Sequence, residues 1–286
     1  MFQISNGLIE ATVSPQGAEP QELCVRGQEN LIWRKDDQIW NRFCPILFPI
    51  VGRLLNDSYT YQGKAYAMRQ HGFARDQNFQ VVDQSPTSIT LCLTDNEVTR
   101  AQYPFAFELH VTYTLTDHSL EIKHGVFNPG REELLFSLGG HPGFHLEGTL
   151  DEFWLDFGGE YNVKQHLISG NYYNGATRDL SLNRRFKLSD ELFASDAIVV
   201  KSPPFQSIGF GKNDGTRLLT LHCEDWSAVG LWTKPGAPFF CIEPWWGWAD
   251  ALDSDGTLDC KEGIVRLAPL QKREFAYSLE LHSIGA

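Results

Sequence analysis

The sequence predicts an all-β protein, built as a large antiparallel β-sandwich with few short helices. In residues 107–115 every second side chain is apolar and those between are polar, the period of a strand with one buried face. No segment keeps a 3.6-residue apolar stripe for more than two or three turns. Strands that follow one another across turns, without helices between them, favour antiparallel sheets packed face to face.

Further strands are predicted along the chain by alternation or by short apolar runs. They lie at residues 89–93, 120–122, 218–222, 229–232 and 275–281. Lys212-Asn213-Asp214-Gly215 separates two such runs and predicts a hairpin turn. Residues 189–193 predict one helical turn after a serine cap. No linker, repeat or low-complexity tract interrupts the chain, so we expect a single domain spanning residues 1–286.

Composition narrows the classes of partner. The 36 acidic and 24 basic residues give a formal net charge of −12, which disfavours nucleic acid and anionic membrane surfaces. The six cysteines are widely spread without a Cys-x-x-Cys pair and predict reduced thiols. The N-terminus has no signal-peptide pattern, and no apolar run reaches about 18 residues. We expect a cytoplasmic protein, monomeric or homodimeric, that acts on a small neutral molecule.

Glu243 is the strongest candidate for a catalytic carboxylate. It follows the apolar Phe239-Phe240-Cys241-Ile242 and precedes Pro244 and Trp245. We expect the strand to end at Pro244 and the carboxylate to face the tryptophans. Partial desolvation there would raise its pKa towards that of a useful general base.

Two histidines lie in glycine-rich segments that favour tight backbone geometry. His141 stands in Gly139-Gly140-His141-Pro142-Gly143, and His71 stands in Gln70-His71-Gly72. An imidazole donates or accepts a proton near neutral pH, and functional groups concentrate on loops held by a rigid scaffold. His145 is a weaker candidate. Two imidazoles and a carboxylate among aromatic rings indicate acid–base chemistry on a carbohydrate.

Four other residues are candidates for substrate binding. Arg53 and Arg75 carry donors that suit sugar oxygens or a phosphate, although each would also serve in an ion pair. Asp196 would bind hydroxyl groups, and Trp245 offers an apolar ring face. His141 and His145 have the spacing of a zinc pair, but Pro142 and Gly143 disfavour a helix there. We therefore expect neither a metal nor another cofactor.

At these residues the chain resembles the aldose 1-epimerase (galactose mutarotase-like) family, and in particular its LacX-like branch. The resemblance covers nearly the whole chain and rests on five motifs in the same order. They are Gly52-Arg53, His71-Gly72-Phe73-Ala74-Arg75, Gly140-His141-Pro142-Gly143-Phe144, Ser195-Asp196-Ala197 and Ile242-Glu243-Pro244-Trp245. It implies a large antiparallel supersandwich that uses no cofactor.

The resemblance also implies a role for each residue. Glu243 would take the proton from the anomeric hydroxyl, and His141 would protonate the ring oxygen. His71 and Arg53 would bind and polarise the sugar, while Asp196 would hold other hydroxyls. The ring would open to the aldehyde and close with the opposite configuration at C1. We therefore expect an isomerase that interconverts the α and β anomers of a free aldose.

Three alternatives stay open on the sequence alone. The two arginines leave room for a mutarotase of hexose 6-phosphates, although the negative net charge opposes capture of a dianion. A glycoside hydrolase needs two carboxylates, for which Asp196 or Asp250 would join Glu243. A protein that binds sugar without turnover would keep the same aromatic cleft.

Overall fold

The computed structural model describes residues 1–282 and contains two large antiparallel sheets, as the sequence predicts. The strands, in chain order, are β1 (Phe2–Ser5), β2 (Ile9–Val13), β3 (Pro20–Val25), β4 (Ile46–Leu47), β5 (Ser58–Tyr61), β6 (Lys64–Ala67), β7 (Gln80–Gln84), β8 (Ser88–Thr94), β9 (Glu108–Thr116), β10 (Ser119–Phe127), β11 (Leu134–Phe136), β12 (Leu138–Gly140), β13 (Gly143–His145), β14 (Phe153–Asp156), β15 (Tyr161–Ser169), β16 (Tyr172–Leu182), β17 (Phe186–Lys187), β18 (Ile198–Lys201), β19 (Ser207–Lys212), β20 (Arg217–His222), β21 (Ala228–Trp232), β22 (Phe239–Trp246), β23 (Val265–Leu267) and β24 (Lys272–Leu281).

The first sheet has nine strands, in the order β17-β14-β19-β20-β24-β10-β9-β8-β7. It contains five of the predicted strand segments, which are β8, β9, β10, β20 and β24. The predicted hairpin turn joins β19 to β20, where the Gly215 N–H donates to the Lys212 carbonyl over 3.0 Å. Buried and half-exposed residues alternate along β8 and β9, so these strands cover the core with one face only.

The second sheet has eight strands on the path β16-β15-β18-β21-β22-β12-β4, with β13 paired to β22. Smaller sheets of three strands (β1-β2-β3) and two strands (β5-β6 and β11-β23) complete the β structure. The two large sheets pack against each other through aromatic rings. The Phe240 ring of β22 lies 5.7 Å from the Phe210 ring of β19, and Trp246 lies 5.1 Å from Phe275 of β24. The predicted sandwich is confirmed.

Strand β22 is buried on both faces. One face packs in the core between the sheets, and the other faces a pocket. Phe240, Ile242 and Trp246 belong to the large core between the sheets. Because side chains of a strand alternate, Glu243 and Trp245 point to the opposite side of the second sheet. The lining of a pocket there includes both residues.

The predicted end of this strand at Pro244 is wrong, because β22 runs on to Trp246. The Trp245 carbonyl accepts from the Ser227 N–H over 2.8 Å, on the β21 side. Successive residues of an antiparallel strand turn their backbone groups to opposite sides, so the Pro244 nitrogen points towards β12 and β13. These two strands are interrupted at His141 and Pro142, and a residue without an N–H fits at such a gap.

Helical structure is short. One α-helix, α1, spans Glu97–Gln102, and the Asn96 side chain caps it by accepting from Val98 and Thr99. The predicted helical turn is a 3-10 turn at Asp190–Phe193, and the Ser189 side chain makes no capping bond there. No helix within residues 1–282 has the length and apolar character needed to cross a bilayer. The last four residues of the predicted domain, 283–286, lie outside the described residues.

Candidate active site

Six of the nine candidate residues that the sequence singles out line one pocket of about 270 Å³. They are His71, Arg75, His141, Asp196, Glu243 and Trp245. They come from β22, from the β12–β13 connection and from loops far apart in the chain. A pocket of this volume, with aromatic walls and a few polar groups, suits one small molecule.

The Glu243 carboxylate and the His141 imidazole form a buried pair at this pocket. Glu243 Oε2 lies 3.2 Å from His141 Nε2, and the two side chains are only 2% and 8% exposed. His141 sits in the gap between β12 and β13, where its backbone N–H donates to the Pro45 carbonyl over 3.1 Å. The sheet therefore sets the position of both groups.

Burial shifts the pKa values of the two partners in opposite directions. Loss of solvent raises the pKa of Glu243 well above its ordinary value, while the Trp245 N–H opposes that rise and the charge of Asp196 adds to it. Loss of solvent also lowers the pKa of His141 to about 3, helped by the charge of Arg75. Both shifts disfavour the ionised forms, so the pair favours a protonated carboxyl beside a neutral imidazole; moving that one proton from carboxyl to imidazole gives the carboxylate–imidazolium form.

His71 lies next to this pair, with its ring centroid 5.7 Å from that of His141 and nearly perpendicular to it. Two hydrogen bonds to Gly52 hold His71 in place. The His71 N–H donates to the Gly52 carbonyl over 2.7 Å, and the Gly52 N–H donates to His71 Nδ1 over 3.1 Å. Burial lowers the pKa of His71 well below its ordinary value. A neutral ring that accepts at Nδ1 carries its proton on Nε2, and this nitrogen lies 3.3 Å from the side-chain amide nitrogen of Gln70.

The backbone at His71 is tightly constrained. His71 and Gly72 both adopt positive φ, of 64° and 67°. A Cβ on Gly72 would lie 2.3 Å from the Phe48 carbonyl oxygen, so only glycine fits beside Phe48. The glycine after the histidine is therefore required by the approach of two loops.

Aromatic rings surround the histidines. The Trp40 ring lies 5.0 Å from the His141 ring, and the Trp232 ring lies 5.6 Å away and nearly perpendicular to it. Both tryptophans line the pocket. Indole faces exclude water and cover the C–H surfaces of a sugar ring.

Trp245 forms another part of the wall and contacts the carboxylate. Its indole Nε1 donates to Glu243 Oε2 over 3.2 Å. Two glycines on neighbouring strands make room for the ring, since a Cβ on Gly139 or Gly230 would approach it to 2.7 or 2.6 Å. The packing of this ring therefore positions the carboxylate.

Arg75, Gln70 and Asp196 add charged and polar groups to the pocket wall. Arg75 Nη2 donates to the Gln70 carbonyl over 2.7 Å, and its buried Nε has no hydrogen-bond partner within residues 1–282. Burial and Arg42 lower the pKa of Arg75 to about 10, so the guanidinium is charged at neutral pH. Asp196 Oδ1 accepts from the Ala197 N–H over 2.7 Å, and the carboxylate also lines the pocket.

Arg53, Asp250 and His145 do not line the pocket. Arg53 forms a bidentate ion pair with Asp57, at 2.7 Å from Nε and 2.5 Å from Nη2. Asp250 is paired with Lys261 in a buried ion pair, and His145 is exposed. The role of Arg53 as a sugar contact stays a prediction.

Several pocket residues are missed by sequence reasoning. They are Trp40, Gln70, Asn171, Tyr173 and Trp232. Only Gln70 lies next to a recognised motif, and the others come from segments without a local signal. Tyr173 is notable because its buried hydroxyl has no hydrogen-bond partner among the described residues.

One set of potential metal ligands lies at this pocket. Cys241, His141 and Glu243 each place a donor atom within 4.8 Å of the others. Two of these atoms are already joined in the pair, so a metal would compete with proton sharing between Glu243 and His141.

Comparison with known proteins identifies the family. A family model described as aldose 1-epimerase matches residues 1–252. "Protein LacX, chromosomal" from Lactococcus lactis is 28% identical over 98% of this chain and 99% of its own length. Two solved structures superpose closely. One is a galactose mutarotase related enzyme from Lactobacillus acidophilus (35% identity, TM-score 0.95, covering 99% of this chain and 97% of that one).

The other is a galactose mutarotase-like protein from Lactobacillus casei, with 29% identity and a TM-score of 0.92 over 99% of this chain and 100% of that one. The family match extends over most of the sequence, and the LacX relative and both structures align over nearly the full length. The chain therefore belongs to the aldose 1-epimerase family, on its LacX-like branch.

Proposed function

We propose that the protein is an aldose 1-epimerase that interconverts the α and β anomers of a free aldose without a cofactor. The contact of 3.2 Å between Glu243 Oε2 and His141 Nε2, at the wall of a small aromatic pocket, carries this proposal. Ring opening needs one group that removes a proton from the anomeric hydroxyl and another that protonates the ring oxygen. The pair holds both groups side by side.

The single proton shared by Glu243 and His141 accounts for both proton transfers of ring opening. The pair without net charge exists either as a carboxylate with imidazolium or as a carboxylic acid with imidazole. In the first form Glu243 takes the anomeric proton while His141 gives its own to the ring oxygen. The bond from C1 to the ring oxygen breaks as the C1 carbonyl forms, which leaves the pair in its second form.

Ring closure then runs the same steps in reverse after C1 has turned about its bond to C2. His141 recovers its proton from the hydroxyl that becomes the ring oxygen, and Glu243 returns its proton to the carbonyl oxygen. His71 Nε2 would donate to the sugar, and Asp196 would accept from hydroxyls. The aromatic walls would keep water from the open aldehyde.

The direct test is anomer exchange followed by NMR or polarimetry, starting from pure α-glucose or α-galactose. We expect Glu243→Gln and His141→Ala each to lower kcat by about 10²–10⁴-fold, the usual contribution of a positioned acid or base. His145→Ala, at an exposed histidine four residues from His141, is the matched control and should keep the parent rate. Full activity in both pair variants would refute the assignment.

A hexose 6-phosphate is a second candidate substrate because of Arg75. This cation lines the pocket and its buried Nε is unpaired within the described chain, as a phosphate contact would require. Comparing kcat/KM for glucose and glucose 6-phosphate separates the two substrates. Preference for the free sugar would rule out the phosphate hypothesis.

Two other activities remain as alternatives with distinct readouts. Asp196 lines the pocket together with Glu243, so a glycoside hydrolase has a possible second carboxylate, and it would release reducing ends from an oligosaccharide. A binding protein would show saturable sugar binding without anomer exchange above the buffer rate. We further infer a cytoplasmic monomer or homodimer, for which the six free thiols are supporting evidence of a reducing compartment.

A further inference from the structure

Three metal-binding side chains meet on the outer face of the nine-stranded sheet. Cys92 lies on β8, and Glu108 and His110 lie on the adjacent strand β9. Cys92 is directly opposite His110 in the antiparallel register, and Glu108 precedes His110 by two residues. All three side chains therefore project from the same face, and each is partly exposed.

Two of the three distances between donor atoms match those around a tetrahedral zinc ion. Cys92 Sγ lies 3.6 Å from His110 Nε2, and His110 Nε2 lies 3.1 Å from Glu108 Oε2. The Zn–S and Zn–N bond lengths of about 2.3 and 2.0–2.1 Å place sulfur and nitrogen ligands about 3.5 Å apart in a tetrahedron. Nitrogen and oxygen ligands would be about 3.3 Å apart. The three donors all lie within 4.8 Å of one another.

The backbone beneath these side chains is fixed on both sides. β9 pairs with β8 over seven residues and with β10 over nine. The inward-facing neighbours Leu91, Leu109 and Val111 are fully buried in the core. The ligand positions consequently cannot move far without disturbing the sandwich, which is the rigidity that a preorganised site requires.

We propose that Cys92, Glu108 and His110 form a site for one thiophilic divalent transition-metal ion, with Zn²⁺ as the best match. Thiolate, imidazole and carboxylate are the ligand types that zinc takes in proteins. A thiolate and a carboxylate together neutralise the two positive charges. A water molecule would complete four-coordination, because the site opens to solvent.

The neighbouring charges do not block the site. One neighbouring cation is Lys272 of β24. Its side chain lies over Gly125 of β10, which is the residue paired with His110. The Lys272 amino group forms an ion pair with Glu274 over 2.9 Å. Gln80 is opposite Cys92 on β7 and carries no charge. Burial and Glu108 raise the pKa of Cys92 to about 11, so an incoming ion must displace the thiol proton.

The site is separate from the active-site pocket, whose lining residues include none of these three. The proposal therefore does not depend on the proposed enzyme activity. A second donor set, Cys241 with His141 and Glu243, lies at the pocket and must be distinguished by experiment.

The test is Zn²⁺ binding to the reduced protein, measured by competition with a chromogenic chelator. Cys92→Ser and His110→Ala should each weaken binding by about 100-fold or more, since loss of an outer-shell partner alone costs 10–100-fold. His222→Ala is the matched control, because His222 pairs with Glu280 over 2.9 Å on the same sheet without a thiol partner. Cys260→Ser controls for an exposed thiol. Both controls should bind as the parent does.

Cobalt provides a spectroscopic readout that identifies the thiolate ligand. Co²⁺ added to the parent should give a thiolate-to-cobalt charge-transfer band that is lost in Cys92→Ser and kept in Cys241→Ser. Parent-like Zn²⁺ affinity in both Cys92→Ser and His110→Ala would overturn the proposal. Loss of binding in His141→Ala but not in His110→Ala would overturn it as well, by assigning the ion to the pocket.

Discussion

The indole Nε1 of Trp245 donates to Glu243 Oε2 over 3.2 Å from two residues further along the same strand. The same carboxylate oxygen faces His141 Nε2. A donor to the carboxylate stabilises its ionised form and holds the pKa of Glu243 below the value that burial alone would give. Trp245 thus adjusts the balance between the two forms of the buried pair.

Trp245→Phe should move the pH profile of kcat/KM to higher pH by about one to two units. The carboxylate loses a hydrogen bond worth about 1.5–3 kcal/mol when its acceptor is charged, so Glu243 ionises at higher pH. The measurement is the rate of anomer exchange across pH. Trp246→Phe is the control, because Trp246 faces the core and donates to Asp225 instead. A profile of Trp245→Phe that coincides with the parent's would contradict this role.

Arg75 and Arg53 should differ in their effect on catalysis. Arg75→Gln should lower kcat/KM by about tenfold or more, since a charged donor to substrate is worth about 1.5–3 kcal/mol. Arg53→Gln should leave kcat/KM near the parent value because its guanidinium is occupied by Asp57 outside the pocket. Steady-state kinetics of both variants make the comparison. A larger loss in Arg53→Gln would support the sugar contact that the sequence predicts.

His124 should make the protein less stable in acid. It is fully buried beside Tyr277, and its two ring nitrogens have no hydrogen-bond partners in the described chain. Burial lowers its pKa to about 4, whereas the unfolded chain takes up the proton near pH 6.5. Between pH 4 and pH 6.5 the unfolded state binds more protons than the folded state. The contribution of neutral His124 to the free energy of unfolding is therefore complete above pH 6.5 and falls as the pH drops.

His124→Phe should remove this dependence. The free energy of unfolding of the parent should lose about 2 kcal/mol more than that of the variant between pH 7.5 and pH 5, since 1.5 pH units correspond to about 2 kcal/mol. Urea titrations at the two pH values give the difference. His118→Gln, at an exposed turn, should follow the parent. Equal losses in the parent and His124→Phe would show that His124 does not cause the effect.

Asp250 and Lys261 form a buried ion pair that ties two loops together. Lys261 Nζ lies 3.0 Å from Asp250 Oδ1 and donates to the Trp248 carbonyl over 2.6 Å, while Asp250 Oδ2 accepts from the Leu55 N–H over 2.9 Å. Lys261→Met should lower the free energy of unfolding by about 3–5 kcal/mol, because it leaves a buried carboxylate unpaired.

The double variant Asp250→Asn/Lys261→Met should lose less stability than Lys261→Met alone, because no buried charge remains. Urea unfolding measures both variants. Lys164→Met, which breaks the exposed pair with Asp179, should leave the midpoint unchanged. A single variant as stable as the parent would show that the buried pair contributes nothing.

The strands that alternation predicts are those with one exposed face, whereas the buried strands β20 and β21 are predicted from short apolar runs. Alternation identifies β9 and β24 because their outer side chains are polar. β22 is buried on both faces, so its pattern has no period and Pro244 suggests an end that does not exist. β16 is mostly exposed and lacks an apolar period for the opposite reason. Periodicity reports a difference between two faces, and it fails where the faces are alike.

The candidate site follows the same logic. His71, His141 and Glu243 stand in unusual local sequences, with glycines and prolines that tight geometry requires. Trp40 and Tyr173 reach the pocket only through the tertiary fold, and nothing around them in the sequence indicates this. The Arg53–Asp57 pair is four residues apart, a local relationship that competes with a role in the pocket.

The alternation of β22 also limits how this protein can change during evolution. Inserting or deleting one residue in β22 before Glu243 would shift the strand register by one. The carboxylate would then point into the hydrophobic core between the sheets, and an apolar neighbour would face the pocket. Asn171 and Asp196, by contrast, stand outside the strands, where changes in length are tolerated. Changes in the length of the connecting segments can therefore alter the pocket wall, while the position of Glu243 depends on a strand register that cannot shift.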